Sequence, residues 1–430
     1  MKYFTMFPKV NRKDKIFISV LVIIILALLG SAYMKYRPSS NVNYDMKLAE
    51  NSAIESHVLI AGDIYWGRRM NDWSQQSPLK EKYPFHKLDS LERDKYDAWI
   101  ANLECPAVPG IKQKIGFVPQ LWEFNCDTDY LKEASEWLDI VSLANNHTAN
   151  QNHDAGLLST RKALEDNNIQ YFGNYTPHKT GDICEVVSLP SRALIENKEQ
   201  RIMLPVAMCG YAGVYFTITD NAIKQIDKYS KVMPVIVMPH MGLEYSSTVD
   251  EKRQKLYRSM IDHGADVVIG NHPHWVQQTE AYKGKLIAYS MGNFIFDQDF
   301  SEEVMRSAAF DTILSVDKTS VSPEQIKAWS DLGKNCANYK DTCLAQAQDL
   351  KLKKLPVKFT FNVVGVDTSN KVTHRANQKL KNEILERLDW SSTSNNLEKN
   401  YIATSEIKTN NINNLQNSVN WEQLKQNIKN

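Results

Sequence analysis

Between Val58 and Phe296, short apolar runs of β character alternate with helical patterns, and each run stops at glycine or polar residues. The runs are Val58 to Ala61, Ala98 to Ala101, Ile140 to Ala144, Ile202 to Met208, Val235 to Met238, Val267 to Ile269 and Leu286 to Tyr289. Runs apolar at every position suit strands covered on both faces, and helical spacers suit parallel pairing, so the expected fold class is α/β. Asp129 is expected to cap a helix with Tyr130, Leu131, Ala134, Trp137 and Leu138 on one face. Asp250 is expected to open another carrying Leu256, Met260 and Ile261, closed by His263 and Gly264. Further on, Val357, Phe359, Phe361 and Val363 alternate with polar residues as in a half-buried strand, and Asp367 to Lys371 reads as a turn.

Metal-type side chains fall just past the ends of these runs. Gly62-Asp63 follows the first, Asn102-Leu103-Glu104 the second and Asn145-Asn146-His147 the third; His240 follows Val235 to Met238, and His272-Pro273-His274 follows Val267 to Ile269. Open α/β sheets bind ligands at the carboxyl ends of their strands, so these groups can share one crevice. Carboxylate, carboxamide and imidazole without thiolate suit Mn, Fe, Zn or Mg, and such donors can hold one or two ions. Each group alone also has a structural reading. Asp63 can be a cap or turn former, Glu104 a solvated loop residue, His147 a histidine satisfied by a carbonyl, and Asn145 and Asn146 turn residues. The His-Pro-His triplet is the stronger signal, because proline fixes the backbone between two imidazoles and the chain has ten histidines in all. His57, His86, His153, His178, His263 and His374 lack such a context.

The segment from Ile16 to Met34 carries no charge, and at ~1.5 Å per residue it can cross most of a ~30 Å hydrocarbon core. Lys2, Lys9, Arg12, Lys13 and Lys15 precede it, which places the N-terminus in the cytoplasm and the rest outside. An uncleaved anchor is favoured by the length of the run; a cleaved signal peptide, cut near Gly30, Ser31 and Ala32, is the rival reading. Exported cysteines can pair, Cys336 with Cys343 first of all because both lie in one polar loop, with free buried thiols the alternative for the other four. Lys plus Arg is 51 against 50 for Asp plus Glu, so no bulk positive field exists to hold nucleic acid. No Gly-x-x-x-x-Gly-Lys-Ser/Thr occurs, so the chain is not itself an ATP-driven ligase of the P-loop type.

These motifs bring a family into view. GDIYWGR at 62–68, ANLECP at 101–106, DIVSLANNHTANQNHDAG at 139–156 with Thr160, Leu164 and Gly173, MPHMGLEY at 238–245, DVVIGNHPHWVQ at 266–277 and GKLIAYSMGNFIFD at 284–297 occur in order. The sequence closely resembles the poly-gamma-glutamate capsule biosynthesis proteins of the CapA/PgsA type, relatives of the calcineurin-like metallophosphoesterases. The resemblance implies a metallophosphoesterase-like layered α/β sandwich over about 57–300. Residues 1–15 are expected to be cytoplasmic, 16–34 the transmembrane anchor, 35–56 a tether, 301–390 an extension whose strands complete the domain, and 391–430 a flexible tail with one short helix near Trp421.

By resemblance, Asp63, Glu104, Asn146, His240, His272 and His274 are metal ligands or their remnants, and His147 stands where the phosphoesterases carry the acid that protonates a leaving oxygen. Arg68, Glu244, Tyr245 and Asn293 are candidate substrate contacts from motif position, with Arg68 suited to grip a carboxylate bidentately. Arg69, Lys112 and Lys114 extend that surface or form a plain solvated face, and Phe294 and Phe296 are expected to pack. Three departures matter. Tyr65 replaces the first-site histidine, Glu104 replaces a bridging aspartate, and Asn271 stands where relatives carry another histidine or polar residue, so one metal position should be weaker. The implied role is transport, assembly or retention of poly-gamma-glutamate beside membrane-embedded synthase subunits; the alternative is an active metal-dependent hydrolase of a phosphoester or of the polymer amide, and a third reading is a scaffold whose metal is structural.

Overall fold

In the computed structural model, which describes residues 47–113, 116, 124–334, 336 and 340–398, the first apolar run is the middle of a long buried strand, β1 (Ser52–Ile64). The next strands are β2 (Ala98–Leu103), β3 (Ile140–Ser142), β4 (Gln170–Phe172), β5 (Cys184–Ile195), β6 (Lys198–Ala212) and β7 (Val235–His240). They are followed by β8 (Val267–Ile269), β9 (Thr279–Tyr282), β10 (Lys285–Ala288), β11 (Asn293–Ile295), β12 (Arg306–Asp317), β13 (Lys358–Asp367) and β14 (His374–Arg375). All fourteen belong to one hydrogen-bonded sheet that branches at β1. The first part of β1 pairs antiparallel with β5, through Ile54 with Ala193, while from Val58 it pairs parallel with β2, and β3 and β4 continue that set. On the other side β6, β7, β8 and β10 form a second parallel set, and β11 pairs with β1 at Asp63. The fold is therefore mixed α/β and dominated by sheet, as the alternating runs require.

Successive residues of a strand face opposite sides, and β1 is apolar on both. Val58 and Ile60 join one core with Val187, Val237 and Ile287, whereas Leu59 and Ala61 join another with Trp99, Leu143 and Phe294. Removal of a side chain such as Ile60 or Leu59 from water is worth roughly 1.5 to 3 kcal/mol, which fixes β1 as the trunk. A slip of one residue would exchange the two cores.

Two long strands escape the apolar-run criterion. Within β5, Pro190, Ser191 and Arg192 interrupt the pattern; Arg192 is buried because it reaches Asp97 at 3.2 Å, where Arg201 also converges. Glu196 and Asn197, at φ of 52° and 61°, turn β5 tightly into β6, the left-handed pair a two-residue hairpin needs. In β12 the buried series Phe310, Thr312, Leu314 and Val316 includes a polar residue, which hides its period. β12 pairs with β1 and β13 with β12, so residues beyond 300 lie in the same sheet. The strand expected at 357–363 is β13, and a short 3₁₀ turn at Ser369–Lys371 follows it.

The helix expected from Asp250 is present at Glu251–Asp262: the Asp250 carboxylate accepts from the Arg253 N–H, and Gly264 at φ +101° follows its end. The helix expected from Asp129 is shorter. Asp127, not Asp129, is the cap, over a 3₁₀ turn at Thr128–Tyr130 and a single turn at Leu131–Ala134. Cys336 and Cys343 are bonded, but so are Cys105 with Cys126 and Cys184 with Cys209, which replaces the free-thiol reading for those four. Their Cα atoms stand at 5.7 and 4.0 Å, brought together by folding rather than by sequence proximity. A helix at Trp390–Asn396 carries the fold past residue 391, where a flexible tail was expected, and Thr393 is tied to Thr279 through their hydroxyls at 2.8 Å. The expected anchor at 16–34 and the expected helix near Trp421 lie outside the described residues, and among the described residues no helix is long and apolar enough to cross a membrane.

Candidate metal centre

The carboxyl ends of the two parallel sets meet. Asp63 near the end of β1, Glu104 just after β2, Asn146 and His147 after β3, His240 at the end of β7, and His272 and His274 after β8 come together in one buried site; Glu104 and Asp63 have no exposed surface. Two groups of donors overlap in it: Glu104 with His240 and His272, and Asp63 with Glu104 and His274, the atoms of each group lying within 4.8 Å of one another. Glu104 belongs to both. Asn146 joins the first group, its Oδ1 2.8 Å from His240 Nε2, and His272 Nδ1 is 3.2 Å from that same nitrogen. Two donors each about 2.1 Å from one ion, at tetrahedral or octahedral angles, would lie roughly 3.0 to 3.4 Å apart, a range that includes the His240–His272 pair, while Asn146 and His240 stand at hydrogen-bond distance.

The chemistry of the donors tests the fit directly. Both Glu104 oxygens are buried without a hydrogen-bond partner, an arrangement expensive for a carboxylate unless a cation completes it. Three imidazoles face Oε1, His240 Nε2 at 3.5 Å and His147 Nε2 and His274 Nε2 at 3.9 Å. Burial, and then the charge of Asp63, push the Glu104 carboxyl up. Burial alone would lower His240, but Glu104 and Asp63 outweigh it and hold the imidazole up at about 9. Burial drives Asp63 up, but His240, His274 and Asn102 together outweigh it and leave the carboxyl below its ordinary value. The cluster thus recruits positive charge to a pair of buried carboxylates, and divalent ions supply it more fully than one proton does.

Supporting groups orient the donors. Asn102 Nδ2 donates to Asp63 Oδ1 at 2.7 Å and faces His240 Nδ1 at 3.2 Å, while the His272 N–H donates to Asp63 Oδ2 at 3.1 Å. Asp63 therefore caps no helix. Asn293, expected to touch substrate, instead lies fully buried behind a ligand: its Nδ2 donates to the Val304 carbonyl at 3.2 Å, so its Oδ1 accepts from His274 Nδ1 at 2.8 Å. That bond leaves His274 Nε2 free toward Glu104, the usual way a carbonyl fixes a ligating tautomer. His272 and His274 have φ of 97° and 57°, left-handed conformations rare outside glycine and held here on either side of Pro273. The other histidines, His57, His86, His153, His178, His263 and His374, belong to neither donor group.

The remaining candidates sit at the rim or are engaged elsewhere. Tyr65, in place of a first-site histidine, stacks on Phe124 at 4.4 Å and takes a bond from Gln113, so Asp63, Glu104 and His274 make that position on their own. The Arg68 fork is closed on Asp297, Nε to Oδ2 at 3.0 Å and Nη2 to Oδ1 at 2.6 Å, so the carboxylate it grips bidentately here is one of the chain's own. Arg69 pairs with Asp299 and Lys112 with Asp127, leaving a neutralised surface; Lys114 lies outside the described residues. Tyr245 stands 37% exposed against His274, with Phe300 edge-on at 5.1 Å, and Glu244 beside it is half-buried. Phe294 and Phe296 are buried packing residues, as expected. Sequence reasoning missed Asp297, which closes the motif ending GKLIAYSMGNFIFD, and Phe124, for which no local signal exists.

His147 lies 6% exposed with its Nε2 toward Glu104 and its ring parallel to Phe124 at 3.6 Å. Burial, reinforced by His240, His274 and Arg68, pushes its imidazole down to about 3, so in the chain as it stands the ring is neutral.

Fold and site together define a class: an α/β protein with a buried centre lined by oxygen and nitrogen donors, in which two candidate metal-binding groups share Glu104. The family model described as "Bacterial capsule synthesis protein PGA_cap" matches residues 57–298, and the chain belongs to this poly-gamma-glutamate capsule family. It is 24% identical over 302 residues to "Capsule biosynthesis protein CapA" of Bacillus anthracis, an alignment covering 68% of this chain and 71% of that protein. It is 43% identical over 67 residues to "PGA biosynthesis protein CapA" of Bacillus subtilis (strain 168), covering 16% of this chain and 18% of that one. A segment of 58 residues is 48% identical to "Uncharacterized protein y4sH" of Sinorhizobium fredii (strain NBRC 101917 / NGR234), covering 14% and 13% of the two chains.

Proposed function

We propose that this is a membrane-anchored, extracytoplasmic protein of poly-gamma-glutamate synthesis that handles the anionic polymer, in transport, assembly or retention, beside membrane synthase subunits in the bacterial envelope. The uncharged run at 16–34 and its flanking cations support the anchor, and three disulfides support export. A second reading, metal-dependent hydrolysis of a phosphoester or of the polymer amide on a metallophosphoesterase-like fold, is supported by one observation: both Glu104 oxygens are buried without a hydrogen-bond partner, and Glu104 belongs to both candidate donor groups.

On this reading Asp63, Glu104 and His274 would hold one divalent ion, and Glu104, Asn146, His240 and His272 would hold the other. Bound there, such ions lower the pKa of water and offset charge on a reacting oxygen. His147 is the proton-transfer group. A bound anion laid against its Nε2 opposes the effect of burial, so the ring takes up a proton from solvent as the anion binds and delivers that proton to the leaving atom, returning to the neutral form. Arg68, its fork closed on Asp297, lays its guanidinium over Phe124 beside His147, and Tyr245 stacks against His274.

The test is elemental analysis of the purified chain, wild type beside His272→Ala and Asp63→Ala, with polymer amount and length measured in cells carrying His147→Ala. Metal retained and polymer length changed by His147→Ala would support chemistry. Metal bound with an unchanged polymer would leave handling alone, and absence of metal from the wild type would overturn the centre itself.

A further inference from the structure

His147 matters for hydrolysis only if its Nε2 faces the reacting atoms, and two residues outside the ligand set impose that. The Phe124 backbone N–H, which can only donate, reaches Asn150 Oδ1 at 2.9 Å. Asn150 Oδ1 is thereby fixed as an acceptor, and the same oxygen lies 2.8 Å from His147 Nδ1. The shared proton must sit on Nδ1, which leaves Nε2 bare on the side of Glu104. Phe124 adds the second constraint. Its ring lies parallel to the imidazole, 4° between planes and 3.6 Å between centres, while the Arg68 guanidinium is 4.3 Å and the Tyr65 ring 4.4 Å from the Phe124 centre. Phe124 is held in turn by the Cys105–Cys126 bond two residues on, and by the Cys126 N–H donating to the Pro106 carbonyl at 2.8 Å.

We infer that Asn150 and Phe124 are positioning residues for His147: Asn150 selects the Nδ1–H tautomer and Phe124 fixes the ring plane, so that Nε2 alone is presented to the metal side. This rests on the reading of His147 as the proton-transfer group, and it adds that the phosphoesterase-type histidine is oriented here by a carboxamide and an aromatic wall on a disulfide-anchored loop.

The experiment is a long-range proton–nitrogen NMR spectrum of the full chain in detergent, labelled with ¹⁵N-histidine, with and without Zn²⁺, the His147 signals being identified by their loss in His147→Gln. Wild type and Asn150→Asp, which keeps the acceptor, should show the Nδ1–H form; Asn150→Leu should show a mixture. In parallel, Phe124→Ala should make His147 react several-fold faster with diethyl pyrocarbonate, read by mass spectrometry, and Phe124→Trp should not. An unchanged tautomer in Asn150→Leu, or unchanged labelling in Phe124→Ala, overturns the inference. Should Asn150→Leu fail to fold, Asn150→Ala, which also removes the acceptor, is read in its place with the same expected mixture. Absence of any hydrolysis alongside the expected spectra and labelling would defeat the hydrolase reading and leave the positioning of His147 standing.

Discussion

Replacement of Glu104 by Gln should reverse sign with metal. Without divalent ions, Glu104 is a buried carboxylate with neither oxygen bonded, raised by burial and by Asp63. Leaving a buried polar group unpaired costs about 1 to 3 kcal/mol, and more when it is charged. The neutral, near-isosteric amide removes that charge, so in chelator above about pH 9, where His240 no longer carries the charge that offsets Glu104, Glu104→Gln should be more stable than wild type, by roughly 1 kcal/mol because the buried amide is itself still unpaired. With metal the order inverts. Binding to the native state alone stabilises by about 2.7 kcal/mol per site at a hundredfold excess over Kd, about 5 kcal/mol for two sites, and loss of the shared ligand weakens both. The assay is thermal unfolding of the purified chain in EDTA and in excess Mn²⁺ or Zn²⁺, with metal counted in parallel. If Glu104→Gln is no more stable than wild type in EDTA above about pH 9 and gains as much from metal, Glu104 is not the shared ligand and the argument from its unpaired oxygens fails.

The pH dependence follows from His240. In the folded, metal-free chain its imidazole is raised to about 9 from 6.5, so its stabilising contribution is complete below about 6.5 and is lost as pH rises toward 9; melting in EDTA should show that loss. Metal should remove or invert the trend, since ions and protons compete for the same nitrogen. Asp63→Ala should remove metal from the position it shares with His274, and His272→Ala from the position shared with His240 and Asn146; metal analysis that found the same residual occupancy and the same affinity in both variants would contradict two distinct positions. The pair Cys105→Ser and Cys126→Ser opens a loop of 21 residues and should lower stability by about 3 kcal/mol by chain entropy. Urea unfolding under oxidising conditions measures it, and a loss below about 1 kcal/mol would show that packing around Phe124 holds the loop without the bond.

Much of the site was legible because its ligands stand directly after strands. In a parallel sheet the position after a strand's carboxyl end is dictated by the strand, so once Val58 to Ala61 or Val267 to Ile269 is recognised, Asp63 or His272 has only one place to go. Asp250 and Gly264 likewise announce their helix through short-range bonds. Where the deciding partner was far along the chain, local reading missed it. Arg68 reads as a free guanidinium until Asp297, 229 residues away, closes its fork. Asn293 reads as a substrate contact until β11 pairs with β1 and sets it behind His274. β5 was lost because the buried Arg192 breaks an apolar pattern that only Asp97 explains.

The sequence by itself thus determined the α/β class, most of the sheet and the types of donor available, since strand and helix periods and capping bonds act over a few residues. The tertiary structure decided which donors share Glu104, that Tyr65 stands aside, that all six cysteines pair, and that His147 lies between Phe124 and the ligand cluster. Those outcomes depend on distances between segments separated by tens to hundreds of residues, which packing fixes and no local pattern encodes.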